Sequence, residues 1–263
     1  MIFNGIEKNS LIEWPGKIST VLFLGGCSFR CPFCYNRGLV LDYQKLPVLS
    51  EKKVLAFLSK RKKFLDGVMI TGGEPLQNKK LKIKDKKYKL KTENSLNQLI
   101  EFIKKVRKMG LGAGIETNGS NPTALKKLID QKLIDYVAMD IKAPLGAKTQ
   151  NSKFKTQNRK TKYEELTGVK VDLKKIKKSI NLIKKSGLDY EFRTTVAPLL
   201  TEEDILEIAK ELKGVKKFVL QVFRPVDSLI DPRLAKMKFF AKEDLAEISL
   251  KIKNNFGKFE IRG

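Results

Sequence analysis

The chain has 263 residues, 41% of them hydrophobic, enough for one sizeable core, and an α/β barrel-like unit of this length need not be divided into two domains. Fifty-four Lys and Arg against 29 Asp and Glu give a net charge of +25, a balance that ordinarily points to nucleic acid or an anionic surface, but about half of the excess sits in residues 79–91 (net +7) and 148–162 (net +6). No apolar run approaches the roughly 18–20 residues of a membrane span, and Met1 to Gly16, with Glu7 and Glu13 and no basic start, does not read as a secretory signal, so a soluble, reducing, cytoplasmic setting is expected.

The first strand is expected at Ile18 to Leu24, apolar and bounded by Pro15-Gly16 and Gly25-Gly26. The loop that leaves it holds every cysteine of the chain: Cys27, Cys31 and Cys34. Three thiolates so close can converge on one metal centre but cannot complete a four-cysteine site, and with no histidine in the sequence the missing ligand must come from outside the protein. Disulfides are a poor reading of an odd count at such tight spacing.

Ser50 can cap a helix through Val54, Leu55, Leu58 and Leu65, and Gly67 breaks it before the strand Val68 to Thr71. The segment Gly72-Gly73-Glu74-Pro75 follows; its glycines permit close backbone approach to a ligand, and its carboxylate can accept hydrogen bonds from an ammonium group. Leu96, Leu99, Ile100, Ile103 and Val106 mark an amphipathic helix ended by Gly110, and a strand over 112–117 leads into Glu116-Thr117-Asn118-Gly119, which as a bare segment reads as a helix-capping loop. Asn121-Pro122 opens the next helix. The strand Tyr136 to Ile141 runs into Asp140-Ile141-Lys142, in isolation a solvated ion pair.

Leu173, Ile176, Ile180 and Ile183 give a helix stopping at Gly187. The strand Tyr190 to Val196 carries Arg193 among apolar neighbours, which turns that charge inward. A capping box at Thr201 to Asp204 starts a helix, Lys217 to Phe223 is the sixth strand, residues 241–253 form a last helix, and Phe259 to Ile261 form a short terminal strand. Six strands alternating with helices predict a parallel sheet with right-handed crossovers, and the motifs fall beyond the C-terminal strand ends, where such folds place function.

Cys27-x-x-x-Cys31-x-x-Cys34, with Phe33 before the last cysteine, resembles the radical S-adenosylmethionine (SAM) signature. The resemblance implies a [4Fe-4S] cluster held by the three cysteines, with the amino and carboxylate groups of SAM on the fourth iron. It also implies an α/β fold, an open, partial six-stranded parallel (β/α)6 barrel. By the same resemblance Phe33, Gly72, Gly73 and Glu74 bind the cofactor, the Gly-Gly-Glu-Pro motif taking the SAM amino group. The acid-Thr-Asn-Gly and Asp-x-Lys segments are similar to those of activating enzymes of glycyl-radical proteins, which implies that Asp140 and Lys142 line the SAM and substrate cavity as catalytic residues. Glu116 and Thr117 join them near SAM and, in some relatives, a monovalent cation. The fork of Arg193 suits a carboxylate, that of SAM or, in a buried ion pair, that of a protein acid. Some relatives place a histidine for adenine near Gln221; this chain has none, and Gln221 is given no such role.

With Glu13-Trp14-Pro15-Gly16 and Phe192-Arg193-Thr194-Thr195-Val196, the set most resembles activators of anaerobic (class III) ribonucleotide reductase. The resemblance implies that the reduced cluster gives one electron to SAM, yielding methionine and a 5′-deoxyadenosyl radical that takes a hydrogen atom from a backbone glycine of the reductase. A flavodoxin or ferredoxin-like protein would supply the electron. The alternatives are an activator of another glycyl-radical enzyme, of the pyruvate formate-lyase type, and a radical SAM enzyme acting on nucleic acid or an RNA-binding protein. Charge alone leaves the cysteine loop unexplained and no stacking platform is visible, so a nucleic-acid partner is not expected, nor is a membrane. The expected organisation is one domain, 1–263, with Lys-rich surface insertions at about 78–92 and 146–162 on the active-site side, each with too little apolar surface to offset its ordering entropy.

Overall fold

The computed structural model describes residues 1–77, 96–146 and 161–263. In chain order these form β1 (Ile2–Phe3), β2 (Gly5–Ser10), β3 (Ser19–Leu24), α1 (Arg37–Leu41), β4 (Leu49–Ser50), α2 (Glu51–Arg61), β5 (Gly67–Gly72), α3 (Leu96–Lys108), β6 (Gly112–Thr117), α4 (Pro122–Asp130), β7 (Tyr136–Asp140), α5 (Lys162–Thr167), α6 (Leu173–Lys185), β8 (Asp189–Val196), α7 (Glu202–Glu211), β9 (Lys217–Val222), α8 (Lys242–Ile252) and β10 (Lys258–Arg262). The expected insertion at 78–92 lies outside the described residues, as does most of that at 146–162. The latter is corrected at its end: Thr161 caps α5 in a reciprocal capping box with Glu164, so Thr161 and Lys162 belong to a helix.

Eight strands pair in the order β10-β9-β8-β7-β6-β5-β3-β2. The six from β3 to β9 are parallel, as the alternation predicts, and β10 adds a seventh parallel strand beside β9. β2 is the difference: it returns antiparallel to β3 through a hairpin at the N-terminal ends of the parallel strands. β2 and β10 are the two ends of the sheet and are not paired with each other, so the barrel is open along one side. The caps behave as the sequence indicates, with Ser50, Asn121 and Thr201 accepting the first backbone N–H groups of α2, α4 and α7.

Alternation along the strands separates two environments. Residues such as Ile70, Ile115, Val137, Phe192 and Leu220 point outward and join the helices in the main core. The inward side has a small apolar core at its lower end, made of Trp14, Val21, Met69, Tyr136 and Ala138. Trp14 reaches in from the β2–β3 hairpin and stacks on Tyr136 at 5.6 Å and 14°. Its ring takes the space that side chains would fill at Gly67 and Gly112, where a Cβ would stand 2.6 and 2.9 Å from it. Those strands start with glycine because an indole occupies the barrel floor. Above it the inward positions are Thr71, Glu116, Asp140, Arg193, Thr195 and Gln221, a polar layer facing the cysteine loop.

Candidate active site

The cysteine loop is fastened on several sides. Gly26, in the left-handed region at φ 84°, donates from its N–H to the Leu39 carbonyl at 2.7 Å, and Arg30 N–H bonds Thr167 O at 2.8 Å. The Arg30 guanidinium turns back onto Cys27 O and Phe29 O, both at 2.7 Å, and Pro32 O accepts from Asp231 N–H at 2.9 Å. Cys27, Cys31 and Cys34 line one cavity of about 890 Å³ together with Phe33, Gly72, Gly73, Asn118, Asp140, Lys142 and Arg193.

The two glycines after β5 serve the cysteine loop as well as the cavity. A Cβ on Gly73 would lie 1.8 Å from Gly26 O, and one on Gly72, at φ 123°, 2.2 Å from Leu24 O. Their close contact is with backbone: Gly73 N–H donates to Leu24 O and Glu74 N–H to Gly26 O, each at 2.8 Å. Glu74 itself is 1% exposed and its carboxylate is already occupied, accepting from Leu76 N–H (3.0 Å), Thr117 Oγ1–H (2.8 Å) and Asn118 N–H (2.7 Å). Burial lifts its pKa to about 7 against those donors. Its carboxylate thus faces the turn after β6, and Glu74 is not among the residues lining the cavity.

Asp140 lies between two cations: Lys142 Nζ donates to its Oδ2 at 2.8 Å and Arg193 Nε to its Oδ1 at 3.0 Å. Burial alone would raise the Asp140 pKa, but Lys142 and Arg193 outweigh it and hold the group at about 2. Arg193 also donates to Glu116 Oε1 at 2.7 Å, and Thr71 Oγ1–H to Glu116 Oε2 at 2.5 Å. Arg193 is therefore engaged by two protein acids while it lines the cavity, the ion-pair alternative for its fork. Lys142 Nζ stands 5.7 Å from the Phe33 ring centroid, within cation–π range. Thr117 lines the cavity beside Glu116, and Gln221 accepts from Thr195 Oγ1–H at 3.2 Å on the far wall.

Glu13 belongs to this layer. From the β2–β3 hairpin its Oε2 comes 3.6 Å from Arg193 Nη1. Burial first, then repulsion from Glu116, raise its pKa to about 8. Below them Glu191, fully buried, receives both Nη groups of Arg262 (2.9 and 3.0 Å) and lies 3.0 Å from Lys217 Nζ, which ties β10 to β8 and β9.

Do these residues fit an iron–sulfur cluster? Burial pushes the Cys27 and Cys31 thiols up to about 12 and raises Cys34, so only a strongly Lewis-acidic occupant would take them as thiolates, displacing their protons. Among the described residues no three of His, Cys, Asp and Glu converge as ligands of a single metal ion would. A cluster in which each thiolate binds a different iron suits three cysteines that line one cavity without that convergence.

The sequence model of the radical SAM superfamily matches residues 21–212, from β3 through α7. The chain belongs to the radical SAM superfamily. Its cofactors are accordingly a [4Fe-4S] cluster and SAM, and it is an enzyme; Cys27, Cys31 and Cys34 are the cysteines that would hold the cluster. A protein of Methanocaldococcus jannaschii, provisionally named a glycyl-radical enzyme activating enzyme, is 31% identical over 94% of this chain and 90% of its own length. A pyruvate formate-lyase-activating enzyme of Clostridium pasteurianum is 27% identical over 53% of this chain, a match that spans about half (51%) of that relative. Among solved structures, native anSMEcpe with bound AdoMet superimposes with a TM-score of 0.52 at 16% identity over 90% of this chain and 61% of that one, a likeness of fold. As in other radical SAM enzymes, the sheet is mostly parallel and not closed.

Sequence reasoning missed three things here. Glu13 was visible only as an acid before Trp14-Pro15-Gly16, a turn whose side chains had no assigned direction. Asn118 lay inside a motif read for its neighbours. The Glu191, Lys217 and Arg262 cluster depends on β10 adding beside β9, and no local pattern announces that pairing.

Proposed function

We propose that this enzyme activates a glycyl-radical protein, and that its substrate is an anaerobic ribonucleotide reductase. The observation that carries the reading is the shape of the cavity. It begins at the cysteines and the polar strand-end layer and continues to the open side of the barrel, where Leu11 and Ile12 of the hairpin and Lys258, Glu260 and Arg262 of β10 line it. At about 890 Å³ it lies near the upper end of small-molecule sites, which leaves room for a polypeptide segment beside SAM. The near full-length likeness to the Methanocaldococcus jannaschii protein supports the activating role, and the absence of further cysteines from the sequence argues against auxiliary clusters.

When bound, the cluster and SAM supply reductive cleavage and hydrogen-atom abstraction; the protein supplies position and exclusion of water. Asp140 holds Lys142 and Arg193 in place and keeps that part of the wall charge-balanced. Lys142 lines the cavity with Cys31 and Cys34, its Nζ 5.7 Å from the ring centroid of Phe33. Thr71, Glu116 and Glu13 continue the polar wall toward the open side, where a glycine-bearing segment would enter. A flavodoxin or ferredoxin-like protein is the proposed electron donor.

The test is to mix the reconstituted enzyme with SAM, a reductant and an anaerobic ribonucleotide reductase, and to follow electron paramagnetic resonance. A glycyl-radical doublet is expected on the reductase. A doublet only with pyruvate formate-lyase would move the substrate to the second reading, which the pyruvate formate-lyase-activating relatives favour. SAM cleavage with no radical on either protein would overturn the activating role.

A further inference from the structure

We propose that Asn118 is a positioning residue that sets the reduction potential of the cluster through an N–H···S hydrogen bond to Cys27. The reading holds whichever polypeptide the enzyme acts on. Asn118 follows β6 directly and is 6% exposed. Its amide can be oriented without ambiguity, because Oδ1 accepts from the backbone N–H of Ser120 at 2.9 Å, which leaves Nδ2 directed at the cysteine loop. There Nδ2 meets Ser28 Oγ at 3.1 Å and Cys27 Sγ at 3.8 Å. Phe29 N–H gives the same sulfur a backbone donor at 3.3 Å, but among the described residues Asn118 is the one side chain whose N–H reaches a cysteine sulfur.

The contact is built into the fold from both sides. Glu74 accepts the Asn118 N–H and the Thr117 hydroxyl with its carboxylate, and donates its own N–H to Gly26 O, immediately before Cys27. One buried residue therefore holds the amide-bearing turn and the start of the cysteine loop together. Ser28 Oγ and Ser120 Oγ, 3.0 Å apart, make a second tie across the same gap. Neither segment can withdraw from the other without breaking several bonds at once.

Reduction of the cluster adds one electron, supplied in a titration by dithionite, and part of the new negative charge falls on the ligand sulfurs. No bond is made or broken in the protein and the proton stays on Nδ2. An N–H donor stabilises the more negative sulfur more, so it favours the reduced form and raises the potential.

The experiment is an anaerobic redox titration of the reconstituted full chain, without SAM, monitored by electron paramagnetic resonance, with iron counted per chain. Asn118→Leu keeps much of the side-chain bulk and removes the donor; Asn118→Asp puts an acceptor in its place. The equilibrium constant for reduction is expected to fall about tenfold in Asn118→Leu, a 59 mV drop for one electron, and further in Asn118→Asp, with iron content unchanged. Ser28→Ala, which removes the hydroxyl that shares Nδ2, should leave the potential at or above that of the wild type. A midpoint in Asn118→Leu within about twofold of the wild-type equilibrium overturns the proposal. So does a fall in Ser28→Ala equal to that in Asn118→Leu, and so does loss of iron from both Asn118 variants, which would make the residue one of cluster assembly.

Discussion

Replacing Gly73 by alanine separates two uses of the Gly-Gly-Glu segment, approach to a ligand and support of the cysteine loop. The added Cβ would lie 1.8 Å from Gly26 O, 2.4 Å from the carbonyl carbon and 3.1 Å from Cys27 N. All three are backbone atoms, so no side chain can rotate away. Raising the closest contact from 1.8 Å to the 3.0 Å that Cβ atoms respect requires the segments to part by about 1.2 Å. That movement breaks or badly stretches the bonds from Gly73 N–H to Leu24 O and from Glu74 N–H to Gly26 O, both now 2.8 Å. Overpacking of this kind costs about 1–3 kcal/mol and each of the two lost hydrogen bonds about 0.5–1.5 kcal/mol, which together give about 2–6 kcal/mol. For a chain of this size, at about 2 °C per kcal/mol, the melting temperature should fall by about 4–12 °C. Calorimetry of the apoprotein and iron per chain after anaerobic reconstitution are the two readouts, and both should drop, since Cys27 is displaced with Gly26. Gly110→Ala is the control: Gly110 is at φ 81° with no heavy atom near its Cβ position, so it carries only the left-handed strain of roughly 1–2 kcal/mol and should load iron normally. If Gly73→Ala melts and loads iron like Gly110→Ala, the steric argument is wrong.

Cys31→Ala should abolish SAM cleavage and leave a folded chain; tightly bound zinc, in place of iron, in wild-type protein isolated without oxygen would refute the cluster. Asp140, held at about 2 against an ordinary 3.8, contributes about 2 kcal/mol that is fully present above about pH 4 and lost as pH falls through about 2. Asp140→Asn should therefore lose that acid limb in urea denaturation, and at pH 7 should be less stable by at least about 2 kcal/mol, because Lys142 loses its acid while Arg193 keeps Glu116; an unchanged acid limb would contradict the ion-pair assignment. The Lys-rich stretches 78–92 and 147–160 are proposed as insertions that steer an acidic reductase. Shortening both to Gly-Ser links should spare cluster assembly and slow activation of the reductase only at low ionic strength. Loss of fold would refute the insertion reading, and salt-sensitive RNA binding that vanishes with these stretches would restore the nucleic-acid one.

The six parallel strands and the helix caps are legible because they are local: Ile18 to Leu24 sits between two turn signals, and Ser50, Asn121 and Thr201 each precede the N–H they accept. β2 is not legible, since Gly5–Ser10 is polar with its middle exposed, and it is a strand only because β3 offers it a partner. The start of α5 carried its own signal, Thr161 with Glu164 and a left-handed Gly168 after the helix, but the surrounding lysines drew it into the insertion. The strand expected at Tyr190 to Val196 is present as Asp189–Val196, and the inward turn of Arg193 is legible from its apolar neighbours, whereas the acids it meets there are not. The pairing of Arg193 with Asp140 and Glu116, and of Glu74 with Asn118, joins residues 44 to 77 positions apart and has no trace in a short window.

The gap between β2 and β10 has a mechanical consequence. A closed barrel is a hoop, and widening it means pulling apart a backbone ladder somewhere around the ring. Here the ring is already cut, and the hairpin that carries β2 is linked to the opposite wall by side chains, Trp14 stacked on Tyr136 and Glu13 3.6 Å from Arg193 Nη1. The bore of the barrel is thus governed by a strut of side chains. The charged part of that strut, Glu13 with Arg193, should answer to salt, whereas the ladders on either side of the cut should not.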